Sequence, residues 1–401
     1  MIYANAVGSV KLYPNPVFMR VCIKVKFQQV LNQSGNWRFY GIMTPKDRCI
    51  AAIELEEPDR IPLVLRIRPE PFQGLKTYLD AGDDEEVYRI LGVDVRATGI
   101  GLKGGYEAEG APCEEGGHFV GKREGYEVVR DIFGFETIWA PSHTYTYTFV
   151  SHPLQRMSLE DYRWPEPDES KLPNVEKFCE NRRDYCIYGG IAHMFEIAWK
   201  LTGFPEFMLR MYREPGFVEA ILDKLNAIRT AQAILLAEAG VDVIVDGDDV
   251  GAQAGLMMSP KHWRRFLKHR YKDMIERVKR QRDVHVLFHS DGYIEPIIPD
   301  LIEVGVDILN PVQPECMNPV MVKELYGDRL CLDGTLGIQS TLPFGTVQDI
   351  INEVKQRIAA LGPTGLILGP THSMQQDVSP EKVVALYDTV KKHGWNTRRS
   401  S

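Results

Sequence analysis

Residues 284–313, VHVLFHSDGYIEPIIPDLIEVGVDILNPVQ, predict a β-strand, a helix and a second β-strand in succession. The first apolar run ends in the polar segment HSDG (289–292), whose glycine interrupts the strand. Apolar residues then recur at helical spacing over 294–303, and a new apolar run begins at Val306. The stretch is therefore a βαβ unit with ionisable residues where its first strand ends.

The same pattern recurs along the chain. Other apolar runs that end in polar or small residues lie at 241–245, 306–309, 330–332 and 366–368. Helical patterns separate or follow these runs at 260–280, 318–325, 346–361 and 380–392. With further strands expected at 61–67 and 185–188, this alternation predicts an α/β fold, a (β/α)8 TIM-type barrel with parallel strands. In such a barrel, polar side chains at the C-terminal strand ends face the active-site mouth.

The charge distribution suggests a boundary near residue 42. Residues 1–42 carry five basic and no acidic residues, so the rest of the chain has 42 basic and 55 acidic residues. The segment MTPKD (43–47) has the features of a helix start, namely a capping threonine, a proline and an early acid. We therefore expect a dispensable basic extension over 1–42 and one barrel over 43–398. An acidic barrel argues against nucleic-acid binding.

Two further classes of protein are disfavoured by the composition. The chain contains no apolar run of about 20 residues, so no transmembrane helix is expected. Its seven cysteines are scattered without CxxC spacing, which predicts neither a disulfide framework nor a structural zinc site made of cysteine pairs. The reducing cytoplasm is the expected compartment.

From residue 43 to about 394 the chain resembles the uroporphyrinogen decarboxylase superfamily, which includes cobamide-dependent methyltransferases. The resemblance is carried by six segments: MTPKDRCIAAIELEEPDRIPL (43–63), VDGDDVGAQ (245–253), VLFHSDG (286–292), DLIEVGVDILNPVQPE (300–315), RLCLDGTLGIQSTLPFGT (329–346) and ILGPTHSMQQDVSPE (367–381).

Within the methyltransferase branch, the resemblance implies three zinc ligands. Two are the histidine and cysteine of a His-x-Cys motif at the end of one strand, and the third lies near the end of the last strand. His289 matches the first position, Asp291 replaces the cysteine of that pair, and His372 falls where methanogen-type members have a second cysteine. Two histidines and one carboxylate bind catalytic Zn²⁺ and also non-haem Fe²⁺. This ligand set leaves a divalent ion with about one net positive charge. The alternative is a metal-free polar cluster in which Asp291 orients His289 as an acid or base.

Polar residues at other strand ends are candidates for substrate binding. They are Asp246, Asp248, Asp249, Asn310, Gln313 and Asp333. His193, in the segment GGIAHMFE, is interpreted as a local capping or core histidine, and Cys316 as a packing residue. Acidic residues at strand ends also cap the turns that follow, so this structural role stays open for the aspartates.

The function implied by the resemblance is metal-dependent transfer of a methyl group between a small donor and either a corrinoid protein or a thiol. The corrinoid protein would carry the cobamide. The first alternative is cofactor-free decarboxylation of uroporphyrinogen. The segment LRIRPEPF (65–72) lacks the arginine pattern of that enzyme, and the residues after Trp139 show no match to its aspartate segment. The second alternative is a non-enzymatic protein that binds a corrinoid or tetrapyrrole.

Overall fold

The computed structural model describes residues 43–106, 110–113, 117–139 and 148–395. It also describes the backbone of four strands within residues 1–42, and these strands form two antiparallel pairs: Ile2–Ala4 with Val10–Leu12, and Phe27–Leu31 with Trp37–Gly41. Most of the proposed extension, and residues 140–147 after Trp139, lie outside the described residues. The boundary at residue 42 therefore stays a prediction.

A curled sheet of seven parallel strands forms the centre of the molecule. The strands are β1 (Val95–Gly99), β2 (Cys186–Gly190), β3 (Val243–Gly247), β4 (His285–His289), β5 (Ile308–Asn310), β6 (Cys331–Asp333) and β7 (Leu366–Ile367). Each strand pairs with the next along the chain, from β1 to β7. The α/β barrel fold predicted from the sequence is confirmed.

The segment around Leu63 lies between the two edges of this sheet. Leu63 forms a parallel bridge with Leu368 beyond β7, and its carbonyl accepts a hydrogen bond of 2.9 Å from the backbone N–H of Asp94, which precedes β1. The sequence predicts a strand over 61–67, but the structure has only isolated bridges there. Pro62 has no N–H to donate, which prevents a continuous ladder at this position.

Helices lie around the outside of the sheet, except for the first, which lies at one end of it. They are α1 (Pro45–Ile53), α2 (Pro69–Tyr78), α3 (Asp84–Leu91), α4 (Leu172–Asn181), α5 (Phe195–Thr202), α6 (Phe204–Arg213), α7 (Pro215–Ala239), α8 (Pro260–Trp263), α9 (His269–Gln281), α10 (Ile298–Val304), α11 (Pro319–Tyr326), α12 (Thr341–Phe344), α13 (Val347–Leu361) and α14 (Pro380–His393). A π-helical turn, Arg264–Lys268, joins α8 to α9 within the region predicted as one helix. The helix expected over 294–303 begins as a 3₁₀ turn, Glu295–Ile297.

Helix α1 fills the barrel interior at the end where the strands begin. It starts as the sequence predicts, with the Thr44 hydroxyl accepting a hydrogen bond of 3.1 Å from the backbone N–H of Asp47. Its Cys49, Ala52 and Ile53 belong to an inner apolar cluster with residues of all seven strands. The ammonium of Lys46 lies 2.5 Å from a carboxylate oxygen of Asp242, just before β3. The opposite end of the barrel is therefore where polar strand-end residues collect.

An antiparallel sheet that the sequence did not predict is inserted between β1 and β2. Its four strands, in spatial order, are Phe149–Ser151, Glu136–Trp139, Tyr126–Arg130 and His118–Arg123. Among the described residues, no helix is both long enough and apolar enough to cross a membrane.

Candidate active site

Three side chains converge at the C-terminal end of the barrel strands. His289 is the last residue of β4, Asp291 follows it by two residues, and His372 lies in the loop after β7. One ligand atom from each of the three lies within 4.8 Å of the others. The centroids of the two imidazole rings are 6.0 Å apart. The ligand set proposed from the sequence is thus brought together, while its occupation by a metal stays a prediction.

Gly292 allows the backbone around Asp291 to pack closely against the loop after β3. It adopts a φ of +83°, which L-residues rarely occupy. A Cβ atom added at Gly292 would lie 2.7 Å from the carbonyl carbon of Gly251. The glycine that the sequence identified as a strand breaker therefore also permits the close approach that places Asp291 at the mouth.

The orientation of His289 is set by Asn310 at the end of β5. Nδ1 of His289 lies 2.6 Å from Oδ1 of Asn310, and the Asn310 amide nitrogen donates to the carbonyl of Asp333 at 3.0 Å. The second contact fixes which end of the amide faces His289. Because an amide oxygen only accepts hydrogen bonds, Nδ1 carries the proton. In the neutral ring, Nε2 of His289 keeps the lone pair, so this is the nitrogen available to a metal ion or a proton.

Asp249, after β3, borders the three-residue cluster. Its carboxylate accepts a hydrogen bond of 2.8 Å from the backbone N–H of Asp291, and one carboxylate oxygen lies 3.8 Å from Nε2 of His289. Burial raises the pKa of Asp249, and the nearby His289 opposes that effect. Asp249 adds a second carboxylate to the negative charge at the mouth.

Burial shifts the pKa values of two candidate ligands, and each shift favours the neutral form of the side chain. Burial, together with the neighbouring His289, lowers the pKa of His372 to about 4. It raises the pKa of Asp291, with His289 acting in the opposite direction. His372 is therefore a neutral imidazole at pH 7, as metal coordination requires. Two imidazoles and one carboxylate are a donor set that fits Zn²⁺ or Fe²⁺.

A second cluster lies beside the first and is built by His193, Glu196 and Asp248. One ligand atom from each lies within 4.8 Å of the others. Nδ1 of His193 is 2.6 Å from a carboxylate oxygen of Glu196, and Lys200 donates to the other oxygen at 2.9 Å. The sequence interpretation of His193 as a capping or core residue missed this pairing. The spacing of an acid three residues after the histidine, at a helix start, was the available signal.

Several residues proposed to bind substrate already have partners within the protein. Asp246 pairs with the buried Arg229 at 2.5 Å, and Asp333 pairs with Arg66 at 2.8 Å. The side-chain oxygen of Gln313 accepts a hydrogen bond of 3.1 Å from the backbone N–H of Gly292.

Asp248 is also buried and accepts from the backbone N–H groups of Met194 and Glu196 and from the Tyr271 hydroxyl. These contacts support the fold of the mouth. A role of these residues in substrate binding stays a prediction.

The fold and site together define an α/β barrel with a histidine–carboxylate cluster at the C-terminal ends of its strands. The chain belongs to the uroporphyrinogen decarboxylase family, whose sequence model matches residues 134–393. This match confirms the resemblance inferred from the sequence segments. The family is one of enzymes.

Comparisons with individual proteins are weaker. The uroporphyrinogen decarboxylases of Pelodictyon phaeoclathratiforme and Chlorobium luteolum are each 24% identical to the chain over 213 residues, which cover 52% of this chain and 56% of each relative. The chain thus spans about half the length of these curated relatives. A methyltransferase from Methanosarcina mazei superposes with a TM-score of 0.60 at 21% identity, covering 87% of this chain and 99% of that structure. This likeness shows a shared fold.

Proposed function

We propose that the protein is a metal-dependent methyltransferase that moves a methyl group between a small donor and a corrinoid protein or a thiol. The observation that carries this proposal is the convergence of His289, Asp291 and His372 within 4.8 Å at the barrel mouth. These residues would hold one Zn²⁺ or another divalent ion such as Fe²⁺. When bound, such an ion supplies a Lewis acid that polarises the leaving group of a methyl donor or favours ionisation of a thiol.

The residues of the chain prepare this site in two ways. Asn310 holds the Nδ1 proton of His289, which leaves Nε2 directed to the cluster as a lone-pair donor. Burial keeps His372 neutral at physiological pH, because it lowers the pKa of this imidazole to about 4. The first contact orients His289, and the second effect allows His372 to coordinate without prior loss of a proton.

The charges of the chain argue against nucleic acid as its ligand. Because acidic residues exceed basic ones by eight over the whole sequence, the protein is not expected to bind nucleic acid. The cobamide, in this proposal, is carried by a separate corrinoid protein that presents it to the barrel mouth.

Decarboxylation of uroporphyrinogen is the second candidate, because the curated relatives that match half of the chain carry that name. That reaction requires cationic groups that gather the substrate carboxylates. Arg66, one of the two arginines in the segment 65–72, is instead ion-paired at 2.8 Å with the fully buried Asp333. The pairing already neutralises its charge, which favours methyl transfer over decarboxylation.

Metal content and methyl transfer test the proposal together. The purified protein should contain about one divalent ion per chain, as the three-ligand set implies. It should transfer a methyl group from simple ether, amine or thioether donors to cob(I)alamin, followed by the visible spectrum. His289→Gln, Asp291→Asn and His372→Gln should each lose the metal and the activity, whereas His393→Gln at the far end of α14 should retain both.

The other outcomes discriminate between the candidates. A metal-free protein that releases CO₂ from uroporphyrinogen would establish the decarboxylase function. A metal-free protein that binds cobalamin and catalyses neither reaction would establish the accessory role.

A further inference from the structure

The second cluster at the barrel mouth is internally neutralised. The carboxylate of Glu196 accepts from Nδ1 of His193 at 2.6 Å and from the ammonium of Lys200 at 2.9 Å. The carboxylate of Asp248 accepts from the backbone N–H of Glu196 at 2.9 Å and from the Tyr271 hydroxyl. Since protein donors already occupy these carboxylate oxygens, the cluster is better suited to holding a proton than to holding a second metal ion.

His193 is the group in this cluster that can exchange a proton with a ligand. Its side chain is 40% exposed, whereas that of Glu196 is 13% exposed. Nδ1 is engaged by Glu196, and among the described residues the other ring nitrogen, Nε2, has no hydrogen-bond partner. Nε2 is therefore the position from which the imidazole can act on a bound molecule, in the manner of a histidine oriented by a carboxylate.

The surroundings of His193 favour its protonated form. Burial alone lowers the pKa of His193, but the hydrogen bond to Glu196 and the charges of Glu196 and Asp248 outweigh it and raise the pKa to about 9. The ammonium of Lys200 opposes this rise, and Asp246 also interacts with His193. At pH 7 the ring is an imidazolium with a proton on Nε2.

This second cluster is joined to the candidate metal ligands through Asp249. The backbone N–H of Asp249 donates to the same Glu196 oxygen at 3.3 Å, and its carboxylate accepts from the backbone N–H of Asp291 at 2.8 Å. A carboxylate oxygen of Asp249 also lies 3.8 Å from Nε2 of His289. Both clusters are therefore joined through Asp249 at the same end of the barrel.

We propose that His193 is the proton donor to the leaving heteroatom of the methyl donor. The inference rests on the proposed methyl transfer and assigns its acid. The bond between the methyl carbon and the heteroatom breaks, and the heteroatom keeps the bonding pair and takes the proton from Nε2. The acceptor's nucleophilic atom supplies the pair for the new bond to the methyl carbon. Water then restores the proton to the half-exposed ring, so no additional oxidant or reductant is needed.

A leaving-group series tests this role. The rates of methyl transfer to cob(I)alamin are compared for methyl aryl ethers that range from anisole, with a poor leaving group, to 4-nitroanisole, with a good one. His193→Gln should slow the anisole reaction by on the order of 100-fold or more, since general acids contribute about 10²–10⁴-fold. The same change should leave the 4-nitroanisole rate within about threefold of wild type, because a stable anion needs little protonation.

The pH profile provides a second readout. The wild-type anisole rate should fall as the pH rises through about 9, where His193 loses its proton, and the rate of His193→Gln should be flat across that range. His393→Gln serves as the matched control and should follow wild type. An equal loss for every ether would overturn the acid role while leaving methyl transfer established. A wild-type protein inactive on every ether would instead overturn the proposed function for ethers and this inference with it.

Titration of His193 by NMR tests the assignment without turnover. The imidazole should remain protonated up to about pH 9 in the wild-type protein. In Glu196→Gln its pKa should fall toward the ordinary histidine value, because the carboxylate that stabilises the imidazolium is gone. A wild-type His193 that titrates at or below the ordinary value would overturn the proposal.

Discussion

The coordination properties of His289 depend on one neighbouring side chain. Asn310 accepts the Nδ1 proton at 2.6 Å and is itself fixed by its contact with Asp333. Asp333 in turn accepts from Arg66 at 3.0 Å and from the Tyr188 hydroxyl at 3.2 Å. Asn310, which the sequence pattern associates with substrate binding, therefore has a structural contact with a candidate metal ligand.

Replacing Asn310 should weaken metal binding while leaving the three ligands in place. In Asn310→Ala, His289 loses the hydrogen-bond acceptor that selects its tautomer. The affinity for Zn²⁺ should then fall by about 10- to 100-fold, as is usual when a residue that hydrogen-bonds to a metal ligand is removed. Competition with a chelator of known affinity measures the change. Asn352→Ala, on the exposed face of α13, is the control, and an unchanged affinity in Asn310→Ala would contradict the orienting role.

Among the secondary-structure elements, α7 and β3 are linked by a buried ion pair. Arg229 in α7 lies 2.5 Å from Asp246 in β3, and both side chains are fully buried. Burial raises the pKa of Asp246, and Arg229 opposes that rise. Within the described residues, two further nitrogens of Arg229 have no hydrogen-bond partner. The pair therefore fixes the end of β3, from which the chain continues to Asp249. The guanidinium of Arg229 pays for this with hydrogen-bond donors that stay without an acceptor in the described part of the chain.

Removing only the arginine should destabilise the fold strongly. Arg229→Met leaves the Asp246 carboxylate buried without its counter-ion, for which we expect a loss of about 3–5 kcal/mol in the free energy of unfolding. Urea denaturation measures the loss. The double variant Arg229→Met/Asp246→Leu should recover most of it, because an apolar pair leaves no buried charge.

An exposed ion pair provides the matched control for this experiment. Arg265 lies 3.2 Å from Glu219, and both side chains are largely exposed. Arg265→Met should cost less than about 1 kcal/mol, as is usual for surface pairs. If Arg229→Met costs no more than Arg265→Met, the buried pair is not what fixes α7 to β3.

At the scale of the whole molecule, sequence patterns predicted most of the barrel. Six of the seven strands of the sheet follow from apolar runs, because strands buried on both faces are apolar throughout. The run before His289 is an example, and the helix start at Thr44 was likewise predictable from its capping residues. Strand β1 and the inserted antiparallel sheet were missed. The sequence VRATG of β1 has no such run, and its Arg96 pairs with Glu85 of α3, a partner that only the folded chain places beside it.

The candidate site was predictable only in part for a related reason. The spacing of His289 and Asp291 places both side chains on the same side of a strand end, and the resemblance to a family supplied His372. The pairing of His193 with Glu196 is local, and the acid three residues after the histidine could have indicated it. The contact of Asn310 with His289 depends instead on how β5 lies beside β4 in the barrel, which no local pattern of residues encodes.

Contacts beside helix α1, at the end of the barrel where the strands begin, lead us to expect that the folded unit starts at Met43. The backbone N–H of Met43 donates to Asp59 at 3.1 Å, and its carbonyl accepts from Arg48 at 3.1 Å. A chain that starts at Met43 keeps both contacts and the complete helix α1. We therefore expect deletion of residues 1–42 to change the melting temperature by less than about 2 °C, which corresponds to about 1.5 kcal/mol for a protein of this size.

A longer deletion is the control, since it removes side chains that fill the barrel. Loss of residues 1–53 takes away Cys49, Ala52 and Ile53, all of which are buried against the inner face of the strands. Loss of such a buried apolar group costs several kcal/mol and should abolish cooperative unfolding or lower the melting temperature sharply. Differential scanning calorimetry and metal analysis of both deletions decide the matter. If the shorter deletion lowers the melting temperature or the metal content as the longer one does, residues 1–42 are part of the folded barrel.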